Sequence, residues 1–383
     1  MRGLMLRNQR HQFNIPDEVA YFNCGYMGPL SKVAEEAGIK GVMQKSEPWK
    51  MTPTDFFTDS DIARGLFAQL INADAVDIAL VPSASYGLAI AAKNIPLKEG
   101  QKILVLDEQF PSNIYCWQER CHETGAEIKT VPAPKDRDWT RAVLDQIDST
   151  VAIAALPNNH WADGGLLDLV KIGAELRKVG AKLVLDVTQS LGAMPLDVQA
   201  VKPDFLIAAA YKWLLGPYSV GMMYVSPNNQ NGSPIEYNWL NRAGSEDFSG
   251  LVNYQDEYQN GAVRYDMGQR ANFALMPMAI ATLRQILNWG VDNIYTNISA
   301  TNSRISDAVR AFGLTSVPTE FRAGHFLGLE KAGGFSPTLL ADLAKEKIYV
   351  SHRGNSLRIT PHVYNNEDDC DRLIDALSRL SGN

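Results

Sequence analysis

The sequence predicts an α/β fold built on a mostly parallel, doubly wound sheet, with a smaller α+β domain towards the C-terminal end. Up to about residue 225, short apolar runs alternate with helix-length segments, a pattern typical of parallel sheets. After Ser226 the chain becomes polar and rich in Gly and Asn, and a helix-rich tail follows. A chain of 383 residues exceeds a single compact core. We therefore predict a large domain over residues 16–275 and a small domain formed by 1–15 and 276–383.

The elements of the large domain follow in a regular order. The first residues are polar, and 21–30 is typical of a short strand that breaks into a Gly/Pro loop. Ser31 is a good N-cap for a helix, and a loop over 48–61 precedes a helix over 63–71. The predicted strands that follow are 78–81, 102–106, 127–131, 150–155, 182–185 and 205–210. The predicted helices between them are 83–94, 112–124, 138–148 and 166–179.

The last strand of the large domain and the tail follow a different pattern. The run 220–225 lies only a short turn beyond the preceding strand, so we expect it to be an antiparallel neighbour. The tail mixes long helical patterns with short apolar runs, which indicates a smaller α+β unit. Its predicted helices are 277–287, 291–311 and one that starts at Glu367. Its predicted strands lie near 324–329, 348–351 and 356–360.

Composition and charge argue against several classes of function. A net charge of −7 and a pI near 5.5 disfavour a nucleic-acid or anionic-membrane surface. No apolar run approaches the roughly 18 residues that a membrane span needs, and the basic N-terminus lacks the apolar segment of a secretory signal. We therefore expect a cytoplasmic protein. The cysteines Cys24, Cys116, Cys121 and Cys370 lack metal-binding spacing, which indicates a reduced compartment and no zinc site.

Polar side chains follow two neighbouring apolar strands. The run 182–185 stops on Asp186, and the run 205–210 stops on Tyr211 and Lys212. Ligands of open α/β sheets bind outside the carboxyl ends of the strands, so this carboxylate and this amine should face one crevice. Pyridoxal phosphate needs a lysine that forms a Schiff base and an acid that keeps the pyridine nitrogen protonated. The alternative is structural, since an Asp that closes a strand often caps a turn.

A phosphate site is predicted at 81–87, where VPSASYG follows a strand and opens a helix. A helix N-terminus offers backbone N–H donors and the positive end of the helix dipole to a phosphate, although a serine there is often only a cap. The sequence has no glycine-rich dinucleotide fingerprint, P-loop, zinc-protease helix motif or nucleophile elbow. The corresponding dinucleotide, nucleotide, zincin and hydrolase functions lose their main support.

In the order of these motifs, the chain resembles the class V aminotransferase superfamily of fold type I pyridoxal-phosphate enzymes. That group contains kynureninases, cysteine desulfurases and isopenicillin-N-epimerase-like proteins. The resemblance runs from about Tyr21 to Leu377 and is strongest in LDVTQSLGAMPLDV and AAAYKWLLGP. It implies pyridoxal 5'-phosphate as the cofactor, an amino acid as the substrate, and a homodimer with sites at the subunit interface.

The resemblance implies roles for individual residues around the cofactor. Lys212 would form the Schiff base, and Asp186 would pair with the pyridine nitrogen. Gln189 would lie beside the phenolic oxygen. Ala84 and Ser85 would bind the phosphate.

Further residues match less central positions of the family. The segment FPSN resembles a kynureninase loop and makes Phe110 the residue that stacks on the cofactor ring. Tyr211 and Trp239 match phosphate-side hydrogen-bond donors of the kynureninase-like branch. Asp163 stands in a loop that often offers a polar side chain to the cofactor. The segment 264–272 resembles the stretch that reaches the phosphate of a second subunit, with Asn272 or Gln269 as the expected contact.

The C-terminal segment SLRITPHVYN resembles the family's substrate-binding stretch. Arg358 would hold the substrate α-carboxylate in a bidentate fork, and Arg353 matches a nearby kynureninase arginine. Desulfurases carry a cysteine on the loop before this arginine, whereas 349–357 has none, and Ala209 replaces their phosphate-binding serine. These departures argue against cysteine desulfurase activity.

The sequence thus predicts an aminotransferase-like pyridoxal-phosphate enzyme that acts at the α-carbon of an amino acid. Three alternatives stay open. The first is a carbon–sulfur or carbon–carbon lyase of the kynureninase type, and the second is an amino-acid epimerase. The third is a catalytically silent protein that kept the fold.

Overall fold

The computed structural model describes residues 6–381, so residues 1–5 and 382–383 of the predicted small domain lie outside it. Within that range the α-helices are α1 (Lys32–Gln44), α2 (Thr58–Ile71), α3 (Ala84–Asn94), α4 (Ser112–Thr124), α5 (Trp139–Leu144), α6 (Leu169–Val179), α7 (Val198–Val201), α8 (Leu275–Trp289), α9 (Val291–Val309), α10 (Leu339–Lys345) and α11 (Glu367–Ser381). The strands of the same range are β1 (Ala20–Tyr21), β2 (Ile78–Val81), β3 (Lys102–Leu106), β4 (Glu127–Val131), β5 (Val151–Pro157), β6 (Lys182–Asp186), β7 (Phe205–Ala209), β8 (Gly221–Val225), β9 (Leu314–Ser316), β10 (Leu327–Lys331), β11 (Ile348–Tyr349), β12 (Ser351–Arg353) and β13 (Ser356–Ile359). None of these helices has both the length and the apolar composition needed to cross a membrane.

A seven-stranded sheet forms the centre of the molecule, in the order β2-β8-β7-β6-β5-β3-β4. The neighbours from β7 to β4 run parallel, whereas β8 is antiparallel to both β2 and β7. Both predictions, the mostly parallel sheet and the antiparallel last strand, are confirmed. Alternate residues of β2 enter different cores: Ile78 and Leu80 pack on one face of the sheet, and Ala79 and Val81 on the other. Apolar runs without alternation are therefore the expected signature of these strands.

Sequence and structure agree on most element bounds and differ at a few. The bounds match for 78–81, 102–106, 112–124 and 127–131. The helix predicted from 166 begins at Leu169, because the Asp168 side chain accepts a hydrogen bond from the Lys171 N–H and caps the helix there. The strand predicted at 21–30 is limited to Ala20–Tyr21. The short helices α7 and α10 were not predicted, since they span too few residues to show a helical period.

The C-terminal part contains a second, antiparallel sheet in the order β12-β13-β10-β9. Residues of this sheet and of α9 and α11 share a separate core, which includes Ile305, Leu327 and Leu373. Strand β1 pairs with β11, and Asn23 bridges to Thr360, so the N-terminal segment is tied to this part. The α+β character predicted for the tail is confirmed, and the division of the chain near residue 275 stays a prediction.

Candidate active site

The carboxyl ends of β6 and β7 open into one cavity. Asp186 is the last residue of β6 and pairs with Ile207 of β7, and Lys212 follows the end of β7 by a few residues. Both side chains line a cavity of about 420 Å³. The carboxylate and the amine therefore face one crevice, as expected at the ends of adjacent parallel strands.

Lys212 presents a buried amine without an ionic partner. The residue is 6% exposed, and Nζ lies 5.4 Å from the ring centroids of both Phe110 and Tyr211. No carboxylate within residues 6–381 forms a salt bridge with this Nζ. Burial lowers the pKa of Lys212 to about 8, and the positive charge of Arg358 adds to this, whereas the negative charge of Asp186 opposes it. An amine in this range exchanges protons near neutral pH.

Asp186 is held by a residue that the sequence analysis missed. Burial raises the pKa of Asp186, and hydrogen bonds from Thr188 oppose that shift. The Thr188 N–H donates to Asp186 Oδ1 at 3.1 Å, and Thr188 Oγ1 accepts from the Ala209 N–H at 3.1 Å. Thr188 thereby links the ends of β6 and β7 and orients the carboxylate. Its position two residues after a strand-ending Asp is the signal that could have identified it.

The N-terminus of α3 forms another wall of the cavity. Ser83 is the N-cap: its Oγ accepts from the Tyr86 N–H at 3.2 Å and lies 2.9 Å from Ser85 Oγ. Ser83, Ala84 and Ser85 all line the cavity. The first N–H groups of a helix have no partner within the helix and carry the positive end of its dipole. This wall therefore offers the donors that a phosphate requires.

Phe110 and Gln189 line the same cavity. The Phe110 ring packs edge-on against Trp161, with the ring centroids 5.3 Å apart. Gln189 Nε2 donates to the Gly25 carbonyl at 3.0 Å, and Gln189 Oε1 accepts from Trp213 Nε1 at 3.2 Å. These two bonds fix the orientation of the amide and leave one of its N–H groups for a ligand.

A second cavity of about 360 Å³ continues from the first. The two share the side chains of Phe110, Trp161, Gln189, Tyr211, Lys212 and Tyr218. The second cavity also contains Arg358, which is 2% exposed. Its Nε donates to Ser351 Oγ at 2.9 Å, and its Nη1 donates to the Trp161 carbonyl at 3.1 Å. Burial lowers the pKa of Arg358 to about 10, and the positive charge of Arg353 adds to the shift.

Asp163 lies outside both cavities, in contrast to the sequence-based expectation. Its Oδ1 contacts His160 Nδ1 at 3.0 Å and accepts from the Gly165 N–H at 2.9 Å, and its Oδ2 pairs with Arg137 at 3.4 Å. The carboxylate is thus engaged within its own loop, and its position does not support a direct contact with the cofactor. Trp161 of the same loop lines both cavities instead.

Three other predicted residues lie away from Lys212. Trp239, Gln269 and Asn272 line a different cavity of about 530 Å³, beside Phe56. Within one chain they do not line the cavity that contains Lys212. A contact between any of these residues and the cofactor would have to come from a second copy of the chain, and it stays a prediction.

The turn before β8 supplies two lining residues that sequence reasoning did not identify. The Tyr218 ring lies 4.7 Å from that of Tyr211, centroid to centroid, and Ser219 adopts a positive φ of 65°. Both residues line the cavity of Lys212. The antiparallel pairing of β7 with β8 brings this turn beside the end of β7. The predicted antiparallel pairing could have identified Tyr218 and Ser219, because the turn between two such strands must lie at this edge of the sheet.

Known proteins resemble this chain over most of its length. The family model for aminotransferase class-V matches residues 54–372. An uncharacterized aminotransferase, YcbU of Bacillus subtilis, is 26% identical over 91% of this chain and 90% of its own length. A probable cysteine desulfurase of Methanothermobacter thermautotrophicus is 25% identical over 84% of this chain and 83% of its own length. Among solved structures, a lysine-to-alanine mutant of C-DES with glycine covalently linked to the PLP cofactor superposes with a TM-score of 0.87, at 19% identity, over 97% of this chain and 99% of the other.

The desulfurase relative bears on one expectation. The sequence argued against cysteine desulfurase activity, but the comparisons do not support that exclusion, since a probable desulfurase is among the relatives. In the structure, Cys24 is fully buried, with Sγ 3.6 Å from the Lys212 carbonyl oxygen. No cysteine of residues 6–381 lines either cavity near Lys212. Desulfurase chemistry therefore stays among the reactions to be tested.

Proposed function

Because the chain belongs to the aminotransferase class-V family and uses pyridoxal phosphate, we propose that it acts at the α-carbon of an amino acid, with Lys212 as the proton carrier. The observation that carries this proposal is the cavity at the ends of β6 and β7. It brings together a buried amine, a buried carboxylate and an anion-binding helix end, and it continues to a buried guanidinium. Each of these groups has a distinct task in such a reaction.

The residues that line the cavity fit the cofactor. The wall formed by Ala84 and Ser85 would hold the phosphate, Asp186 would pair with the pyridine nitrogen, and Phe110 would contact the ring. Lys212 would attach the cofactor covalently. When bound, pyridoxal phosphate supplies the electron sink that stabilises negative charge at the α-carbon of the substrate.

Lys212 is suited to move the substrate proton. With a pKa of about 8, the amine is partly neutral near physiological pH, so it can accept a proton and return it. No histidine and no second lysine of the described chain lines the two cavities. Lys212 would therefore remove the proton, and the groups left to return one from another direction are the phenols of Tyr211 and Tyr218, which line the same cavities.

Arg358 is suited to hold the substrate carboxylate. Its Nε and Nη1 donate to neutral oxygens, those of Ser351 and Trp161, so its charge is not neutralised by the protein. A guanidinium binds a carboxylate in a planar, charge-assisted geometry. Lys212 and Arg358 line the same cavity, so one amino acid could contact both.

A lyase is the second candidate, and two phenols favour it. Departure of a group from the β-carbon needs a proton donor, and the rings of Tyr211 and Tyr218 lie beside Lys212. Burial raises the pKa of Tyr211 to about 12, which keeps the phenol protonated and available as a donor. An amino-acid panel scored for keto acid, ammonia, sulfide and alanine would separate transamination from lyase and desulfurase chemistry.

The absorption spectrum tests the common core of these proposals. Purified protein supplied with pyridoxal phosphate should show the visible band of the lysine-bound cofactor, and Lys212→Ala should lose it. The matched control is Lys182→Ala at the opposite end of β6, where the amine pairs with Asp204 at 2.8 Å and should not affect the band. A wild type without the band, or a Lys212→Ala protein that keeps it, would overturn the assignment. A spectrum that no amino acid changes would refute the proposed substrate class.

We also propose that two copies form the functional unit. Helix α1 exposes Ile39, Val42 and Met43, which are each about 60% exposed and lie on one helix face. Val42 also lines the cavity that contains Trp239 and Asn272. A second copy that covers this face would bury the apolar stripe. Sedimentation equilibrium of the cofactor-loaded protein should give a dimer, and a fully loaded monomer would contradict the proposal.

A further inference from the structure

The cavity beyond Lys212 is positively charged and has no compensating acid. Its charged side chains are Lys212, Arg353 and Arg358, and no Asp or Glu of residues 6–381 lines it. One substrate carboxylate can neutralise only one of the two guanidinium groups. The second guanidinium is left to interact with another part of the substrate.

The strand pairing places the two arginines on the same face of the small sheet. Ser351 of β12 is directly opposite Arg358 of β13. Arg353 lies two residues after Ser351 on the same strand, and residues two apart in a strand point to the same side. The side chains of Arg353 and Arg358 are therefore diagonal neighbours, close enough to contact two ends of one small molecule.

The charge of Arg353 is available to a ligand. Its Nη1 donates to the His352 carbonyl at 2.7 Å, a neutral acceptor, and the residue is half-buried. Glu108 comes near the adjacent turn, since its Oε2 would lie 3.7 Å from a Cβ built on Gly354. Even so, Glu108 forms no salt bridge with Arg353 in the part of the chain that the structure describes.

Aromatic side chains form much of the rest of the cavity wall. Tyr26, Phe110, Trp161, Tyr211 and Tyr218 line it. Phe110, Trp161 and Tyr211 are half-buried and displace water, which strengthens an ion pair beside them, whereas Tyr26 and Tyr218 are more than half exposed. A second acidic group on the substrate would therefore gain more here than at an exposed surface.

We propose that the amino-acid substrate carries a second carboxylate, which Arg353 binds while Arg358 holds the α-carboxylate. This inference rests on the proposed function, because it concerns the substrate of the same site. It assigns the chain to dianionic amino acids and makes Arg353 a specificity-determining residue.

Pairs of acids and amides of equal size test the inference. The cofactor-loaded protein is titrated with aspartate against asparagine and with glutamate against glutamine, and the dissociation constant is read from the change in the cofactor absorption spectrum. For at least one pair, the wild type should bind the acid about 10 to 100 times more tightly, the usual worth of a charge-assisted hydrogen bond. Arg353→Gln should bring the acid to the affinity of its amide, and Arg353→Lys should restore part of the preference.

Two controls separate a local effect from a general loss of charge. Arg177→Gln removes an exposed guanidinium whose Nη1 likewise donates only to a backbone carbonyl, that of Val201, and it should leave the preference unchanged. Arg358→Gln should weaken the binding of acids and of amides by the same factor. A loss of preference in Arg177→Gln, or a preference that survives in Arg353→Gln, would refute the assignment of Arg353.

The outcomes also distinguish this inference from the proposal on which it rests. If amides bind and acids bind no better, the enzyme acts on neutral amino acids and only the inference fails. If no amino acid of either kind changes the spectrum, the proposed function itself fails.

Discussion

Two groups of buried cations in this molecule differ in whether a carboxylate accompanies them. The first, here called the paired cluster, consists of Arg64, Asp266 and Arg270. Asp266 accepts hydrogen bonds from Arg64 at both oxygens, and its Oδ2 lies 3.0 Å from Arg270 Nη1. The second group, Lys212 and Arg358 at the cavity, forms no salt bridge within residues 6–381.

The paired cluster acts as a structural joint. Asp266 Oδ1 accepts from the Leu80 N–H at 2.7 Å, and Arg64 Nη1 donates to the Ile78 carbonyl at 2.7 Å. Arg270 also donates to Asn241 Oδ1 at 2.7 Å. Helix α2, strand β2 and the segment before α8 are thereby held together by charges that satisfy one another.

The cavity cations have the opposite character. Burial without a carboxylate partner lowers the pKa of Lys212 to about 8 and that of Arg358 to about 10. Such groups reduce the stability of the empty fold, and proteins keep them where a ligand will supply the missing charge. The comparison teaches that burial alone does not identify a functional cation. A missing counterion is informative only together with a cavity, because Arg322 is also buried, donates to the Ser306 and Ser316 hydroxyls, and lines neither cavity near Lys212.

The largest expected effect comes from breaking the paired cluster. Asp266→Asn keeps the shape of the side chain and removes the carboxylate that lies between the two arginines. Arg270 then has no acidic partner, and Arg64 keeps only Asp61, a two-thirds exposed carboxylate 3.5 Å from its Nε. We expect the free energy of unfolding to fall by about 3–5 kcal/mol, measured by urea denaturation.

The matched control for this change is Asp307→Asn. Asp307 pairs with Arg310 at 3.5 Å, and both side chains are about two-thirds exposed, so the loss should stay below about 0.5 kcal/mol. Equal losses of unfolding free energy in Asp266→Asn and Asp307→Asn would show that burial of the paired cluster has no special energetic role. The proposed difference between this cluster and the cavity cations would then be wrong.

The second prediction concerns the unpaired side of the comparison. In the cofactor-free protein, Lys212→Met should stabilise the fold at pH 7, because it removes a charge that burial disfavours. A displacement of the pKa from 10.5 to about 8 corresponds to ~3 kcal/mol. The folded-state pKa is the lower one, so the unfolded chain binds more protons between these two pH values, and wild-type stability rises with pH across that window. The advantage of Lys212→Met should therefore be full below about pH 8 and vanish towards pH 10.5.

Urea denaturation at several pH values measures this dependence. Lys182→Met is the control, since the Lys182 amine pairs with Asp204 and is 40% exposed. Its effect on stability should not follow the same pH dependence. An advantage of Lys212→Met that stays constant from pH 7 to 10.5 would mean that the lysine is not destabilised by burial.

The sequence predicted the placement of Asp186 and Lys212 at the ends of two adjacent strands better than it predicted the residues around them. Strand ends are set by apolar runs, and parallel strands place their carboxyl ends at one edge, so the sequence pattern alone assigns Asp186 and Lys212 to one cavity. Ser83, Ala84 and Ser85 were predicted from a second rule, that the N-terminus of a helix after a strand binds anions. These inferences depend only on local pattern and topology.

Contacts that depend on the path of a loop were not predictable. Asp163 was expected at the cofactor, but its loop directs the carboxylate to His160 and brings Trp161 to the cavity instead. Tyr218 lies far from Phe110 in sequence, and no periodic pattern relates the two residues. The contact predicted between Asn272 and a second copy of the chain stays a prediction, because assembly is not encoded in local sequence patterns.

The smallest effect tests whether the cavity stores strain as well as charge. Ser219 lines the cavity with a φ of 65°, a left-handed conformation that costs a non-glycine residue about 1–2 kcal/mol. Ser219→Gly removes that strain but adds about 0.5–1 kcal/mol of unfolded-state entropy, so a net stabilisation of roughly 0.5 kcal/mol is expected in the cofactor-free protein. Ser46→Gly provides the control, because Ser46 is exposed and has no positive φ, so the same exchange should destabilise. Thermal unfolding of both variants measures the difference in sign. If Ser219→Gly and Ser46→Gly both destabilise the protein, the turn before β8 is not strained. The unpaired charges are then the only feature of the cavity that lowers the stability of the cofactor-free fold.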